Sequence, residues 1–106
     1  MKTLFIINPI SGKGKKRKIA KVLQARGYKI LFTEYAGHAE KLAREATEDI
    51  VVAVGGDGTV NEVARGLIGS NKALGIIPKA KDLGSRELIA KAERLYWYPS
   101  EVDVSI

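Results

Sequence analysis

Residues 50–68 read IVVAVGGDGTVNEVARGLI and join a strand to a helix through a glycine-rich turn. The first five residues are all apolar, as expected of a strand that is buried on both faces. The later apolar residues recur at helical spacing and would share one face: Val60, Val63, Ala64, Leu67 and Ile68. Backbone N–H groups at such a turn, beside the positive end of a helix, can bind a phosphate. The segment therefore predicts α/β architecture with an anion site, and Asp57 stands inside the turn.

The same alternation of strand and helix continues on both sides of this segment. Apolar runs predict further strands at 4–7, 28–32, 73–77, 95–98 and 102–106, with Pro78 ending the third of them and Pro99 separating the last two. Helical spacing predicts helices around 19–23, ended by Gly27, and at 39–46 and 85–93, while Gly69 ends the helix after the turn. This order predicts a three-layer α/β sandwich. It is an open, mostly parallel, doubly wound sheet of about five strands, in a single domain of residues 1–106.

Two glycine-rich segments, residues 8–14 and 55–59, follow strands directly. In doubly wound sheets, ligands bind beyond the carboxyl ends of the strands, where the strand order reverses. If the first and third strands are neighbours, both segments meet at one crevice. Neither segment has the spacing of a Walker A loop or of a complete dinucleotide fingerprint, so either alone could be a simple tight connection.

The length and composition of the chain limit the size of its fold and exclude several kinds of site. The chain has 106 residues, of which 45% are hydrophobic, so it can form one small domain with a core. It has no cysteine, which excludes disulfides and thiolate metal sites. No apolar run approaches the roughly 18 residues of a membrane span. The first nine residues are interpreted as a strand and not as a signal peptide, and a cytoplasmic location is the default.

The net charge of +6 has a local origin, and its function is open. A basic run can be the solvated start of a helix or can attract phosphates. Without interleaved aromatic residues, nucleic acid is not the expected partner. The cationic cluster consists of Lys13, Lys15, Lys16, Arg17, Lys18 and Lys21.

Three further features have alternative interpretations. Asp57 could form the turn, cap the helix, hold a metal or orient a phosphate acceptor. His38, the only histidine, is interpreted as a polar residue at a helix start, because no second histidine or cysteine could complete a transition-metal site. The aromatic residues 96–98 most simply cover a core edge or an interface, and they or an exposed sheet edge could support a homodimer.

Four segments together resemble the nucleotide-binding domain of the diacylglycerol kinase catalytic family. That family includes bacterial lipid kinases and sphingosine kinases, and is related more distantly to NAD kinases and phosphofructokinases. The matching segments are NPISG at 8–12, TEYAGHA at 33–39, GGDGTVNEV at 55–63 and LGIIP at 74–78. They occur in the order and with the spacing typical of the family.

The resemblance implies binding of ATP with Mg²⁺ and transfer of the γ-phosphoryl group to a lipid hydroxyl. Asp57 would help to place the metal or the phosphate chain, and Glu62 would support the glycine loop. The other residues implied to line the nucleotide site are Asn8, Ser11, Gly12, Thr33, Gly55, Gly56, Gly58 and Thr59, the last through its hydroxyl. The resemblance points to no catalytic residue beyond the positioning role of Asp57.

Two departures from the family pattern affect the expected activity. After Pro78 the family continues with glycine, threonine or serine, one residue, then asparagine and aspartate, whereas residues 79–83 here read KAKDL. A shifted match at 84–90 keeps only the glycine and the hydroxyl residue. The chain also lacks the β-rich second domain of family kinases, so it is expected to bind nucleotide and to have little or no lipid kinase activity alone.

Three functional hypotheses from different classes follow. The chain is the ATP-binding half of a lipid kinase, or a structural or engineered minimal α/β domain that keeps the fold without the site. The altered segment at 79–88 favours the second of these. In the third, the cationic cluster binds polyanions, which a steep dependence on salt without preference for ATP would reveal.

Overall fold

The computed structural model describes residues 2–10, 15–78 and 98–99. Within these ranges, strands and helices alternate along the chain. The strands are β1 (Thr3–Ile7), β2 (Lys29–Phe32), β3 (Ile50–Gly55), β4 (Ala73–Pro78) and β5 (Tyr98–Pro99), and the helices are α1 (Lys15–Ala25), α2 (His38–Glu45) and α3 (Asp57–Leu67). Each predicted strand and helix up to Pro78 is confirmed, with ends that differ by a few residues. The predicted helix at 85–93 and strand at 102–106 lie outside the described residues.

The five strands form one sheet in the order β2-β1-β3-β4-β5. The first four are parallel, and only β5 runs antiparallel, pairing Tyr98 with Leu74 and Pro99 with Ala73. The doubly wound, mostly parallel fold class is therefore confirmed. Pro99 pairs with Ala73 as part of β5, and the prediction that it separates two strands concerns residues that lie mostly outside the described ones.

Helices cover both faces of the sheet because alternate residues of the central strands point to opposite sides. On one face, Phe5 and Val52 pack in a cluster with Leu23 of α1. On the other face, Ile6 and Val51 pack with residues of α2 and α3 such as Val63. Both central strands are thus almost wholly apolar, which explains why their sequences lack an alternating pattern.

Helices α2 and α3 pack unusually closely at Gly66. A side chain at this residue would collide with the carbonyl oxygen of Glu40, and its Cβ would lie 2.7 Å from that of Ala43. The Glu40 carboxylate also accepts hydrogen bonds from Arg44 and Arg65, each at 3.0 Å. The bond from Arg44 has the largest effect on the pKa of Glu40, which lies below its ordinary value. The two helices therefore form one rigid layer.

At the amino edge of the sheet, Glu48 is a buried carboxylate that is 6% exposed. Its Oε2 accepts from Lys29 Nζ at 3.2 Å, whereas Oε1 has no donor among the described residues. Burial by itself would raise the pKa of Glu48, but the backbone N–H groups of Glu48 and Thr47 and the Lys29 ammonium outweigh it and lower the pKa. These N–H groups act on the charge without making a well-aligned bond to Oε1. Glu48 is consequently ionised in the folded protein.

Candidate functional site

The strand order brings the loops after β1 and β3 together at the carboxyl edge of the sheet. The N–H of Asn8, directly after β1, donates to the carbonyl of Val54 in β3 at 3.2 Å. The N–H of Thr33, directly after β2, donates to the carbonyl of Ile7 at 2.9 Å. The first and third strands are neighbours, which meets the condition under which the two loops would share one edge. That edge is the switch point of the sheet, where such folds bind ligands.

Asn8 organises the beginning of the loop that follows β1. Its side-chain Oδ1 accepts from the N–H of Ile10 at 3.0 Å, which closes a tight turn of the kind that asparagine favours. Ile10 is 86% exposed at this edge. The next two residues expected at the nucleotide site, Ser11 and Gly12, lie outside the described residues.

The segment Gly55–Thr59 passes directly from β3 into α3. Gly56 is the N-cap residue in an extended conformation, and no side chain caps the helix there. The N–H groups of the first helical turn have no partner within a helix, and α3 therefore presents them with its positive end toward the carboxyl edge. This geometry suits an anion that approaches from beyond the strand ends.

The described residues do not explain why residues 56 and 58 are glycine, either through packing or through backbone conformation. A Cβ at either residue would meet no atom of the described residues within 4 Å, and neither residue has a positive φ. Neither backbone strain nor packing against the described residues requires that a side chain be absent at these two positions. Glycine at such positions allows a ligand to approach the backbone closely. The open space above the two glycines is therefore where a phosphate chain would fit.

Gly55 is a glycine for a different reason. A Cβ there would lie 2.7 Å from the hydroxyl oxygen of Thr59, which is 6% exposed. The Thr59 side chain is thus packed against the end of β3. Within the expected phosphate loop, Gly55 and the Thr59 side chain hold the turn together, while Gly56 and Gly58 border open space.

Asp57 is exposed at the first position of α3. Among the described residues there is no group of three or more acidic, histidine or cysteine side chains that could hold a metal. Mg²⁺ is commonly bound by one or two carboxylates together with phosphate oxygens and water. A single exposed carboxylate beside an open phosphate cradle fits this mode and does not fit a metal held by protein side chains alone.

Glu62 contacts the loop after β2. Its Oε1 accepts from the N–H of Gly37 at 3.1 Å. Within the same loop, His38 Nδ1 accepts from the N–H of Glu34 at 2.9 Å, and the His38 ring stacks on Tyr35 at 4.4 Å. His38 is the first residue of α2, as predicted. Neither hydrogen bond has a local sequence signal that identifies its acceptor, so these contacts could not be predicted from the sequence.

The fold and the site together define an α/β domain of the doubly wound class with a glycine loop at its switch point. Its sequence matches the family described as "Diacylglycerol kinase catalytic domain" over residues 2–95. The chain belongs to this family, and the match continues through the altered segment after Pro78. Among the described residues, no helix is both long enough and apolar enough to cross a membrane.

The similarity to individual relatives extends over most of this chain but over only a small part of each relative's own length. The chain is 42% identical to "Diacylglycerol kinase" of Bacillus subtilis (strain 168), covering 70% of this chain and 28% of that protein. It is 35% identical to "Sphingoid long-chain bases kinase 1" of Arabidopsis thaliana, over 86% of this chain and 15% of that protein. A crystal structure of a diacylglycerol kinase from Bacillus anthracis str. Sterne superposes with a TM-score of 0.63 at 32% identity, covering 74% and 33% of the two chains.

Proposed function

We propose that this chain is the nucleotide-binding part of a lipid kinase and binds ATP with Mg²⁺ at the carboxyl edge of the sheet. The observation that carries the proposal is the open space at Gly56 and Gly58, directly before and within the uncapped first turn of α3. This feature lies at the switch point between β1 and β3, where doubly wound sheets bind their ligands. Family membership supports the choice of ATP as the nucleotide and of phosphoryl transfer as the class of reaction.

Each residue at the edge has a role in this proposal. The N–H groups of residues 57–59 bind the phosphate chain, and the Asp57 carboxylate holds Mg²⁺ against it. Asn8 and Thr33 border the remainder of the nucleotide, together with Ser11 and Gly12, which are assigned from sequence alone. Mg²⁺ held by Asp57 would supply positive charge that offsets the charge of the phosphates.

The proposed reaction is transfer of the γ-phosphoryl group of ATP to a lipid hydroxyl. Such a transfer depends mainly on positioning and charge stabilisation, which the N–H groups of the first turn and Asp57 provide. No described residue is assigned as the base that accepts the proton of the lipid hydroxyl. We therefore expect the 106-residue chain to bind nucleotide but to need a further domain or chain for lipid phosphorylation. A cytoplasmic location belongs to the same proposal, because ATP is the co-substrate and the chain has no cysteine.

Calorimetric titration of the purified chain with ATP, in the presence and absence of Mg²⁺, tests the proposal. We expect saturable binding that strengthens with Mg²⁺, that loses this Mg²⁺ effect in Asp57→Ala, and that weakens in Gly56→Ala. Glu45→Ala is the matched control, because it removes an exposed carboxylate at the far end of α2. Unchanged affinity in both site variants would overturn the proposal.

A second titration with inorganic tripolyphosphate separates nucleotide binding from general attraction to the cationic cluster. Arg17, Lys18 and Lys21 are exposed on α1 and could bind any polyanion. Equal affinity for tripolyphosphate and ATP, with a steep decrease in both as salt rises, would favour polyanion binding over a nucleotide site. A clear preference for ATP at 150 mM salt, a concentration at which surface charges are screened beyond about 8 Å, would favour the nucleotide site.

A further inference from the structure

The loop after β2, residues 33–37, is held at both ends by hydrogen bonds from its backbone. At its beginning, the N–H of Thr33 donates to Ile7 of β1 at 2.9 Å. At its end, the N–H of Gly37 donates to Glu62 Oε1 of α3 at 3.1 Å. Gly37 is the N-cap residue of α2, with a φ of 90°, and its position has no side-chain cap. The acceptor of its N–H is the carboxylate of Glu62.

Glu62 belongs to the same helix that begins with the glycine loop. The first turn of α3 presents Asp57 and Gly58 toward the open space, and Glu62 lies about one turn further along the helix. One rigid element therefore sets the position of two walls of the crevice: the glycine loop through its own first turn, and the loop after β2 through Glu62. A shift of either wall would move Thr33 relative to the phosphate-binding N–H groups.

We propose that Glu62 is a positioning residue of the nucleotide site, which fixes the loop after β2 to α3 and touches neither the nucleotide nor Mg²⁺. The nucleotide part of this inference rests on the function proposed above. This positioning role needs a side-chain oxygen that is close enough to accept a hydrogen bond from the Gly37 N–H, and it does not need a negative charge. A role in binding the metal would need the charge, so the two can be separated by substitution.

Two substitutions of Glu62 separate the effect of side-chain length from the effect of side-chain charge. Glu62→Gln keeps the length of the side chain and an amide oxygen that can accept from Gly37, but it removes the charge. Glu62→Asp keeps the charge but shortens the side chain by one methylene and withdraws the acceptor. Glu45→Gln is the matched control for the loss of one negative charge, because Glu45 is exposed and lies at the opposite end of α2 from Gly37.

The first measurement is the hydrogen-exchange rate of the Gly37 amide by NMR, made without nucleotide. We expect slow exchange in the wild type, Glu62→Gln and Glu45→Gln, and exchange about tenfold faster or more in Glu62→Asp. Equal Gly37 exchange rates in all four proteins would overturn the contact in solution. Fast exchange in Glu62→Gln, with slow exchange in Glu62→Asp, would show that charge and not reach is required, and would also overturn the inference.

The second measurement is calorimetric titration of the same proteins with ATP, with and without Mg²⁺. We expect Glu62→Gln to bind within about threefold of the wild type and Glu62→Asp to bind about tenfold more weakly, with the same Mg²⁺ enhancement in each. Loss of the Mg²⁺ enhancement in Glu62→Gln alone would assign Glu62 to the metal and overturn the positioning role. Absence of ATP binding in the wild type would overturn the proposed function and the nucleotide part of this inference, while Gly37 exchange still decides the contact.

Discussion

Thr59 lies so close to Gly55 that a methyl group at residue 55 would be 2.7 Å from the threonine Oγ1 and 3.0 Å from its Cβ. Separations this short force one of the two groups to move, because protein interiors are closely packed. The last residue of β3 and the first turn of α3 are therefore fitted to each other. The direction in which α3 leaves the sheet, and thus the direction of its free N–H groups, depends on this contact.

Substitution of Gly55 by alanine should destabilise the fold through this contact. We expect Gly55→Ala to lower the free energy of unfolding by about 1–3 kcal/mol, as is usual when a packed site is overfilled. Adding Thr59→Ala removes the hydroxyl and methyl groups that the new side chain would meet. The cost of the double variant in urea denaturation should therefore be less than the sum of the two single costs, by about 1 kcal/mol. Strict additivity would show that the two residues do not interact.

Gly58→Ala should separate stability from binding. The new Cβ meets nothing within 4 Å, and residue 58 is helical, so the change replaces a poor helix former by a good one. We expect the free energy of unfolding to stay unchanged or to rise by up to about 1 kcal/mol. ATP affinity should fall, because the methyl group enters the space that the phosphates would occupy. A variant that is stabilised and binds ATP normally would show that phosphates bind elsewhere.

Gly66→Ala makes the same substitution in the same helix, with the opposite expected effect on stability. Its Cβ would collide with the Glu40 carbonyl oxygen and crowd Ala43, so α2 and α3 would have to separate. We expect a loss of about 1–3 kcal/mol in the free energy of unfolding. Thermal or urea unfolding, with Gly58→Ala as the reference, measures the difference. Equal stability of the two variants would contradict the close helix contact.

Glu48 should contribute to the acid sensitivity of the fold. Its pKa is lowered in the folded protein, so its stabilising effect is fully present above the pKa of an unfolded glutamate, about 4.3. That effect is lost as the pH falls through the lower, folded-state pKa. Glu48→Gln should be less stable than the wild type near pH 7, and the difference should shrink as the pH falls below about 4. Urea denaturation across pH 3–7 measures this, and a difference that is constant with pH would rule out the contribution.

Much of the fold was predictable because its signals are local. Five consecutive apolar residues at 50–54 can hardly be anything but a buried strand when glycines follow them, and Gly27 and Gly69 mark helix ends by their positive φ. The adjacency of β1 and β3 was stated only as a condition, because strand order depends on contacts between distant segments. The pairing of Pro99 with Ala73 also joins distant segments and has no trace in the local sequence.

The candidate site was predicted at the level of loops but not of individual contacts. The sequence located the glycine loop and its neighbours correctly at one edge. The contact of the Glu62 carboxylate with Gly37 and the packing of the Thr59 side chain against Gly55 were not predicted. Contacts of this kind depend on how the helices and strands pack together and not on spacing along the chain. The ligand roles of these residues stay predictions.

The pairing of β1 with β3 has a consequence for how the chain acquires its structure. The two strands at the centre of the sheet are almost fifty residues apart in sequence, with β2 outside them. Contacts of such long range form late, because the intervening chain must first lose its freedom. During synthesis, β1 can therefore complete its pairing only after residues 50–54 have emerged. The glycine loop is the next segment to follow, so the residues that close the centre of the sheet and those that begin the candidate site become available one directly after the other.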